Sequence, residues 1–262
     1  MDPVDDLDAG PGAPDPEDPV EAGDRRSLPL VQLIPNLVTL LGLCAGLTSI
    51  RYTLDEYYQT AAALIILAAI MDGMDGLLAR KLNAASHFGA ELDSLSDFVC
   101  FGVAPGMFVY HFVLRDLPGM GWLFVLVFVI CACLRLARFN VNRNAPPPPG
   151  RVHFVGVPAP AGAMLGLLPV YLSLAGWVDM RDFPVLAGLY VGLVGLLMIS
   201  RLPTPSPKGW RVPRNRAIWV LLGVAVFAGA MATKPWSVLA LVDLAYLGVL
   251  GWGAWIERRK LA

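Results

Sequence analysis

Residues 71–97 read MDGMDGLLARKLNAASHFGAELDSLSD. Four aspartates, Asp72, Asp75, Asp93 and Asp97, sit where one long apolar run ends and the next begins. Asp72 and Asp75 are three positions apart and Asp93 and Asp97 four, so on helices each pair occupies one face. The segment between the pairs, about ten residues, lets the two helices run antiparallel and brings the four carboxylates toward one point. A carboxylate at the centre of a membrane helix costs about 2.5 to 3.5 kcal/mol, less near the interface, and like-charged neighbours add repulsion. Arg80 neutralises part of this charge. Hard divalent cations with oxygen ligands could neutralise all of it, and two metals about 4 Å apart are a recurrent device of phosphoryl transfer. The alternative is a solvated helix end paired with Arg80 and Lys81; it accounts for any one of the acids but poorly for the whole set of spacings. Gly73, Gly76 and Gly89, each about 1 kcal/mol worse than alanine in a helix, leave space beside the acids for a bulky ligand to meet the backbone.

The apolar surroundings decide the fold class. The 262-residue chain is 56 % hydrophobic and 16 % charged, against roughly 25 % charged in a soluble domain, and its mean hydropathy is +0.60. Eight runs of membrane-spanning character lie at about 30–50, 60–78, 89–114, 121–136, 154–177, 184–199, 217–232 and 236–255. The chain is therefore expected to be an all-α integral membrane protein of about eight transmembrane helices. The fourth run is short if it stops before Arg135, so it is expected to continue with that arginine facing protein or water. Lys and Arg gather at one set of helix ends (Arg25, Arg26, Arg80, Lys81, Arg138, Arg143, Arg151, Arg201, Lys208, Arg211 and further on), whereas the opposite set holds only Arg51, Arg115, Arg181 and Lys234. By the positive-inside rule both termini and the acidic site face the cytoplasm of a multi-pass cell-membrane protein.

Four parts follow. Residues 1–27 are acidic, Pro- and Gly-rich and nearly free of large apolar side chains, the composition of a disordered cytoplasmic tail without the features of a secretory signal. Residues 28–200 form a six-helix membrane core, 201–216 a Pro-rich basic cytoplasmic connection, and 217–262 two additional helices with a basic end. Cys44, Cys100, Cys131 and Cys133 lie in apolar stretches without metal-knuckle spacing and are expected to be small buried hydrophobes. Gly42 and Gly46, like Gly188 and Gly192, have the spacing that lets helices approach closely; packing within the bundle is favoured over a homodimer seam. His87, His111 and His153 are scattered, and neutral polar roles are expected of them.

From Asp72 to Asp97 the pattern is D-x-x-D-G-x-x-A-R-x8-G-x-x-x-D-x-x-x-D. It resembles the full signature of the CDP-alcohol phosphotransferase family without a departure. The resemblance implies a helical bundle whose first six helices hold the active site. It also implies Mg2+ or Mn2+ at a two-metal site held by Asp72, Asp75, Asp93 and Asp97, with Asp97 (and Asp93 beside it) in the catalytic role and Asp97 the general base. Gly76, Ala79 and Gly89 resemble positions lining the cytidine site and Arg80 the one supporting the diphosphate; Asn36 and Thr39 could reach the nucleotide from the first helix, or serve as caps and interhelical bonds.

PNLVTLLGLCAGL, SDFVCFGVAPG, RLARFN, FVGVPAPAGA and SRLPTPSPK further resemble the bacterial phosphatidylserine synthase branch. That branch implies CDP-diacylglycerol as donor and L-serine as acceptor, with membrane lipids around it and no nucleic-acid partner. Serine's carboxylate calls for an arginine; Arg135, Arg138, Asn140 and Arg143 lie where the fourth helix meets the cytoplasm, although for each taken alone a topology-setting or headgroup contact is the favoured explanation. Glycerol 3-phosphate, inositol phosphate or choline would be alternative acceptors for the same chemistry. An ion-coupled transporter is disfavoured, because the acids gather toward one surface and the second half contains no inverted copy of the acidic helix pair.

Overall fold

The computed structural model describes residues 33–84, 86–117, 119–142, 154–200, 203–204 and 217–261. The acidic tail, Arg143, His153 and most of the basic connection 201–216 lie outside them. The described residues form α1 (Ile34–Leu54), α2 (Tyr58–Lys81), α3 (His87–Leu114), α4 (Met120–Asn142), β1 (Phe154–Val155), α5 (Ala159–Gly166), α6 (Leu168–Leu174), α7 (Pro184–Ile199), β2 (Pro203–Thr204), α8 (Ala217–Thr233) and α9 (Pro235–Leu261). Five of these helices, α1 to α4 and most of α9, are long and apolar enough to cross a membrane, and α7 and α8 are shorter apolar helices. Large apolar side chains such as Leu37, Leu47, Leu77, Leu126, Leu193 and Phe227 point outward. In water such a surface would drive aggregation; in hydrocarbon it is the ordinary exterior of an all-α membrane protein.

α1 and α2 form an antiparallel pair, and α3 lies against α1 in the interior, the most enclosed of the five long helices. Gly42 and Gly46 pack within the chain: a Cβ at Gly42 would stand 3.3 Å from Met71 Cβ, and one at Gly46 2.6 Å from Cys100 Sγ. α4 and α7 form the second close pair, in which Gly188, Gly192 and Gly195 accept Phe124 and Phe128 of α4. Phe101, Phe108, Phe128, Ile65 and Tyr171 fill the centre. Cys100 and Cys131 are buried as expected, whereas Cys44 and Cys133 face outward.

Three local features depart from the apolar runs. α2 persists to Lys81 and α3 starts at His87, so the link between the acid-bearing helices is residues 82–86, shorter than the sequence indicates. Asn83, at φ +50°, supplies the left-handed residue that ends α2, and the Ser86 side chain caps α3 by accepting from Gly89 N–H at 3.0 Å. The fifth run is not one helix. Phe154–Val155 pairs with Pro203–Thr204 as a two-residue antiparallel ribbon, and the helical part breaks at Leu167. Pro169 cannot donate to the Leu165 carbonyl four positions back, and the Tyr190 hydroxyl from α7 supplies that bond at 2.9 Å. α3, finally, contains two wide π-helical turns, Phe98–Val103 directly after Asp97 and Tyr110–Leu114.

Candidate active site

The last turns of α2 and the first turns of α3 carry the acids to one end of the bundle. Asp72, Asp75 and Asp93 each offer a carboxylate oxygen, all within 4.8 Å of one another. Asp75 is buried, at 5 % exposure, and is held from α1, where the Thr39 hydroxyl donates to its Oδ2 at 2.6 Å. Asp97 lies one turn deeper than Asp93, within hydrogen-bond reach of Asp72 and in the electrostatic field of Asp75 and Asp93. Below it Ser96 donates to the Thr39 carbonyl and Cys100 to the Gly42 carbonyl, both at 3.4 Å, so α3 is seated on the α1 backbone. Oxygen donors converging in this way suit hard divalent cations, and the residues present fit such a group.

Beside the triad opens a solvent-facing cleft of about 90 Å³. Asn36, Thr39, Gly76, Ala79 and Gly89 all line it, together with Asp75 and Asp93. Gly89 is required there by contact: an added Cβ would sit 2.6 Å from Asn36 Oδ1 and 3.1 Å from Ser86 Oγ. Arg80 is exposed at the rim, its Nη1 3.6 Å from where a Cβ on Gly76 would be. A broad, mostly apolar groove along Met74, Leu77 and Leu78 runs from Arg80 and Lys81 down the outside of α2.

The four residues proposed for the acceptor separate. α4 continues past Arg135 to Asn142, as the shortness of the fourth apolar run indicates. Arg135 is half-buried; its Nε donates to the Val157 carbonyl, and its positive charge lies within the electrostatic field of Asp97. Arg138 Nη1 donates to the Ile199 carbonyl at 2.9 Å, so part of its donor set anchors the end of α7. Asn140 Oδ1 accepts from Ser94 at 3.0 Å, tying α4 to α3 directly after Asp93. Arg143 lies outside the described residues. His87 is exposed on the first turn of α3.

Sequence reasoning alone misses Ser86, Ser94 and Val157. A serine directly ahead of an amphipathic segment is an N-cap signal that could have exposed the first. The other two depend on contacts 46 and 22 residues away and leave no local trace.

Comparison with known proteins agrees with this geometry. Residues 32–202 match the family model described as CDP-alcohol phosphatidyltransferase. A Mycobacterium leprae protein named CDP-diacylglycerol--serine O-phosphatidyltransferase is 42 % identical over 228 residues, covering 85 % of this chain and 74 % of that one. A Helicobacter pylori protein of the same name is 34 % identical over 222 residues, covering 84 % and 91 %. One from Bacillus subtilis is 37 % identical over 178 residues, covering 67 % and 91 %. With the matched region spanning the cleft, the acids and the helices that seat them, the chain belongs to the CDP-alcohol phosphatidyltransferase family of multi-pass membrane enzymes.

Proposed function

We propose that the protein transfers the phosphatidyl group of CDP-diacylglycerol to the hydroxyl of L-serine, releasing CMP and phosphatidylserine, at the cytoplasmic face of the cell membrane. The observation that carries this is the convergence of three carboxylates, two of which, Asp75 and Asp93, line a cleft together with Gly76, Ala79 and Gly89 of the signature. The shared name of the relatives supports serine as acceptor, and the basic residues at the acid-bearing helix ends support the orientation.

Asp72, Asp75, Asp93 and Asp97 would hold Mg2+ or Mn2+ ions, which when bound supply the positive charge that lets a diphosphate approach four carboxylates. The cytidine end of the donor occupies the cleft lined by Asn36, Gly76, Ala79 and Gly89, where the missing side chain of Gly76 lets it meet the backbone. Arg80 at the rim offers its guanidinium to the diphosphate. The acyl chains stay in the bilayer alongside the outer face of α2. The free Nη groups of Arg135 take the serine carboxylate. Asp97 accepts the proton of the serine hydroxyl as that oxygen attacks the phosphorus of the phosphatidyl group; the bond to the CMP oxygen breaks, and CMP leaves.

The test is incubation of the purified protein in liposomes with CDP-diacylglycerol and, separately, serine, glycerol 3-phosphate, inositol phosphate or choline. Serine alone should give a lipid product together with CMP; a product from another alcohol in place of serine would reassign the acceptor. Asp97→Asn should still bind the donor while phosphatidylserine formation falls by a factor on the order of 10² to 10⁴. Near wild-type turnover would move the base elsewhere, and collapse of donor binding would make Asp97 chiefly a metal ligand.

A further inference from the structure

The acid-bearing turns of α3 are held from two sides. At about 100° per residue, Asp93 and Asp97 fall on the arc of the helix between Ser96 on one flank and Ser94 on the other. On the first flank Ser96 and Cys100 donate to the α1 carbonyls of Thr39 and Gly42, both at 3.4 Å. On the second flank the Ser94 hydroxyl donates to Asn140 Oδ1 of α4 at 3.0 Å. The same hydroxyl also reaches the Ala90 carbonyl of its own helix at 3.1 Å, so its proton is shared between the two oxygens. Two features make these turns depend on such bonds. Phe88 and Leu95 are 71 % and 68 % exposed, so protein packs against only part of the helix circumference here. The wide turn Phe98–Val103 begins directly after Asp97, so the well-packed lower half of α3 does not by itself set the rotation of the turns above it.

Resting on the reading that the acids hold divalent cations, we infer that Asn140 is a positioning residue for the metal site. Through Ser94 it stops α3 from rolling about its own axis, and so keeps Asp93 and Asp97 in register with Asp72 and Asp75 of α2. A carboxylate oxygen stands roughly 6 Å from its helix axis, so a roll of about 10° displaces it by roughly 1 Å, twice the tolerance of about 0.5 Å within which the groups of a working site have to be held. α2 is paired with α1, and the α1 bonds of Ser96 and Cys100 therefore fix one edge of the site only. With that edge alone, α3 would swing about it and carry its two acids toward or away from the other two. Asn140 then serves the metals rather than the acceptor, a task distinct from those of Arg135 and Arg138 on the same helix end.

The experiment compares the full-length wild type with Asn140→Ala, Ser94→Ala and the double variant in detergent micelles. Mn2+ is titrated into the metal-free protein and the free ion is followed by its electron paramagnetic resonance signal, which reads binding without turnover. Steady-state rates and the unfolding midpoint in chelator are measured alongside. Each single variant should raise Kd for Mn2+ about tenfold, and the double variant no more than either one, because the two side chains act as a unit. With Mn2+ saturating, kcat and KM for serine should stay within twofold of wild type, and the midpoint in chelator should move by less than about 4 °C. Unchanged Mn2+ affinity in either single variant overturns the inference, as do additive losses in the double variant. So does a raised KM for serine in Asn140→Ala that Ser94→Ala does not share, which would make Asn140 an acceptor contact. A larger fall of the midpoint in chelator also overturns it, since the bond would then be a general support of the bundle. A wild-type chain that binds no Mn2+ fails the metal reading and takes the inference with it, whereas a wild-type chain that binds Mn2+ with both single variants indifferent fails the inference alone.

Discussion

Gly89→Ala separates donor binding from folding. A Cβ at this position would stand 2.6 Å from Asn36 Oδ1, where ordinary contact begins near 3.4 Å, so the amide has to retreat by about 0.8 Å. The amide is the free end of a side chain, and rotation of Asn36 is cheaper than displacement of α3. The helix itself gains, since alanine is favoured over glycine by up to about 1 kcal/mol in a helical position. The substitution should therefore leave the unfolding midpoint equal or slightly raised. At the cleft the sign reverses: Asn36 is swung out of the wall that receives the nucleotide, and one positioned polar contact is worth about 1 to 1.5 kcal/mol, or roughly tenfold in affinity. Initial rates measured against the mole fraction of CDP-diacylglycerol in mixed micelles, with serine saturating, should show KM for the donor raised about tenfold. A folded Gly89→Ala protein with donor KM within twofold of wild type would refute the assignment of this cleft to the nucleotide.

Chelator should abolish turnover, and Asp72→Asn or Asp75→Asn should raise the Mg2+ or Mn2+ concentration giving half-maximal rate by about tenfold or more; full activity in metal-free buffer would contradict the metal assignment. Thr39→Val keeps shape but removes the hydroxyl that donates to buried Asp75 at 2.6 Å, a loss of about 1 to 3 kcal/mol to be read as a lower unfolding midpoint or weaker metal dependence. If neither moved, the bond would be dispensable. Asp243 on α9 is 4 % exposed, and its Oδ2 has no hydrogen-bond partner among the described residues. Asp243→Leu should raise the midpoint, by an amount reflecting about 1 to 3 kcal/mol of relieved desolvation; a lowered midpoint would reveal a partner for that carboxyl.

The acid spacings are legible in the sequence because they depend on helix periodicity alone: three and four positions apart, on two helices joined by a short link, the carboxylates have few places to go but together. Asn36 and Thr39 are legible only as candidates. The structure turns both into the cleft through the close approach of α1 to α2 at Gly42 and to α3 at Gly46. The break at Leu167 has a visible cause in Pro169, yet continuous hydropathy over 154–177 hides it, since hydropathy reports solvent preference rather than hydrogen bonding. The division of labour between Arg135, Arg138 and Asn140 is not legible at all. Three polar residues within six positions look alike until long-range partners such as Val157, Ile199 and Ser94 assign a carbonyl to two of them and a hydroxyl to the third.

The wide turn at Phe98–Val103 changes how α3 has to be counted. A π-helical turn carries about one more residue than an α-helical turn through the same rotation, so the acid face above it and the core-filling face of Phe108 and Phe112 below it are aligned by turns rather than by residue number. Loss of one residue inside 98–103 would convert the turn to ordinary α geometry and leave both faces pointing as they do now. Loss of one residue between Asp93 and Asp97 would rotate Asp93 and the turn before it by about 100° relative to Asp97 and the helix below. In this family, natural insertions and deletions within the third span are expected to collect in the wide turn and to avoid the turn before it.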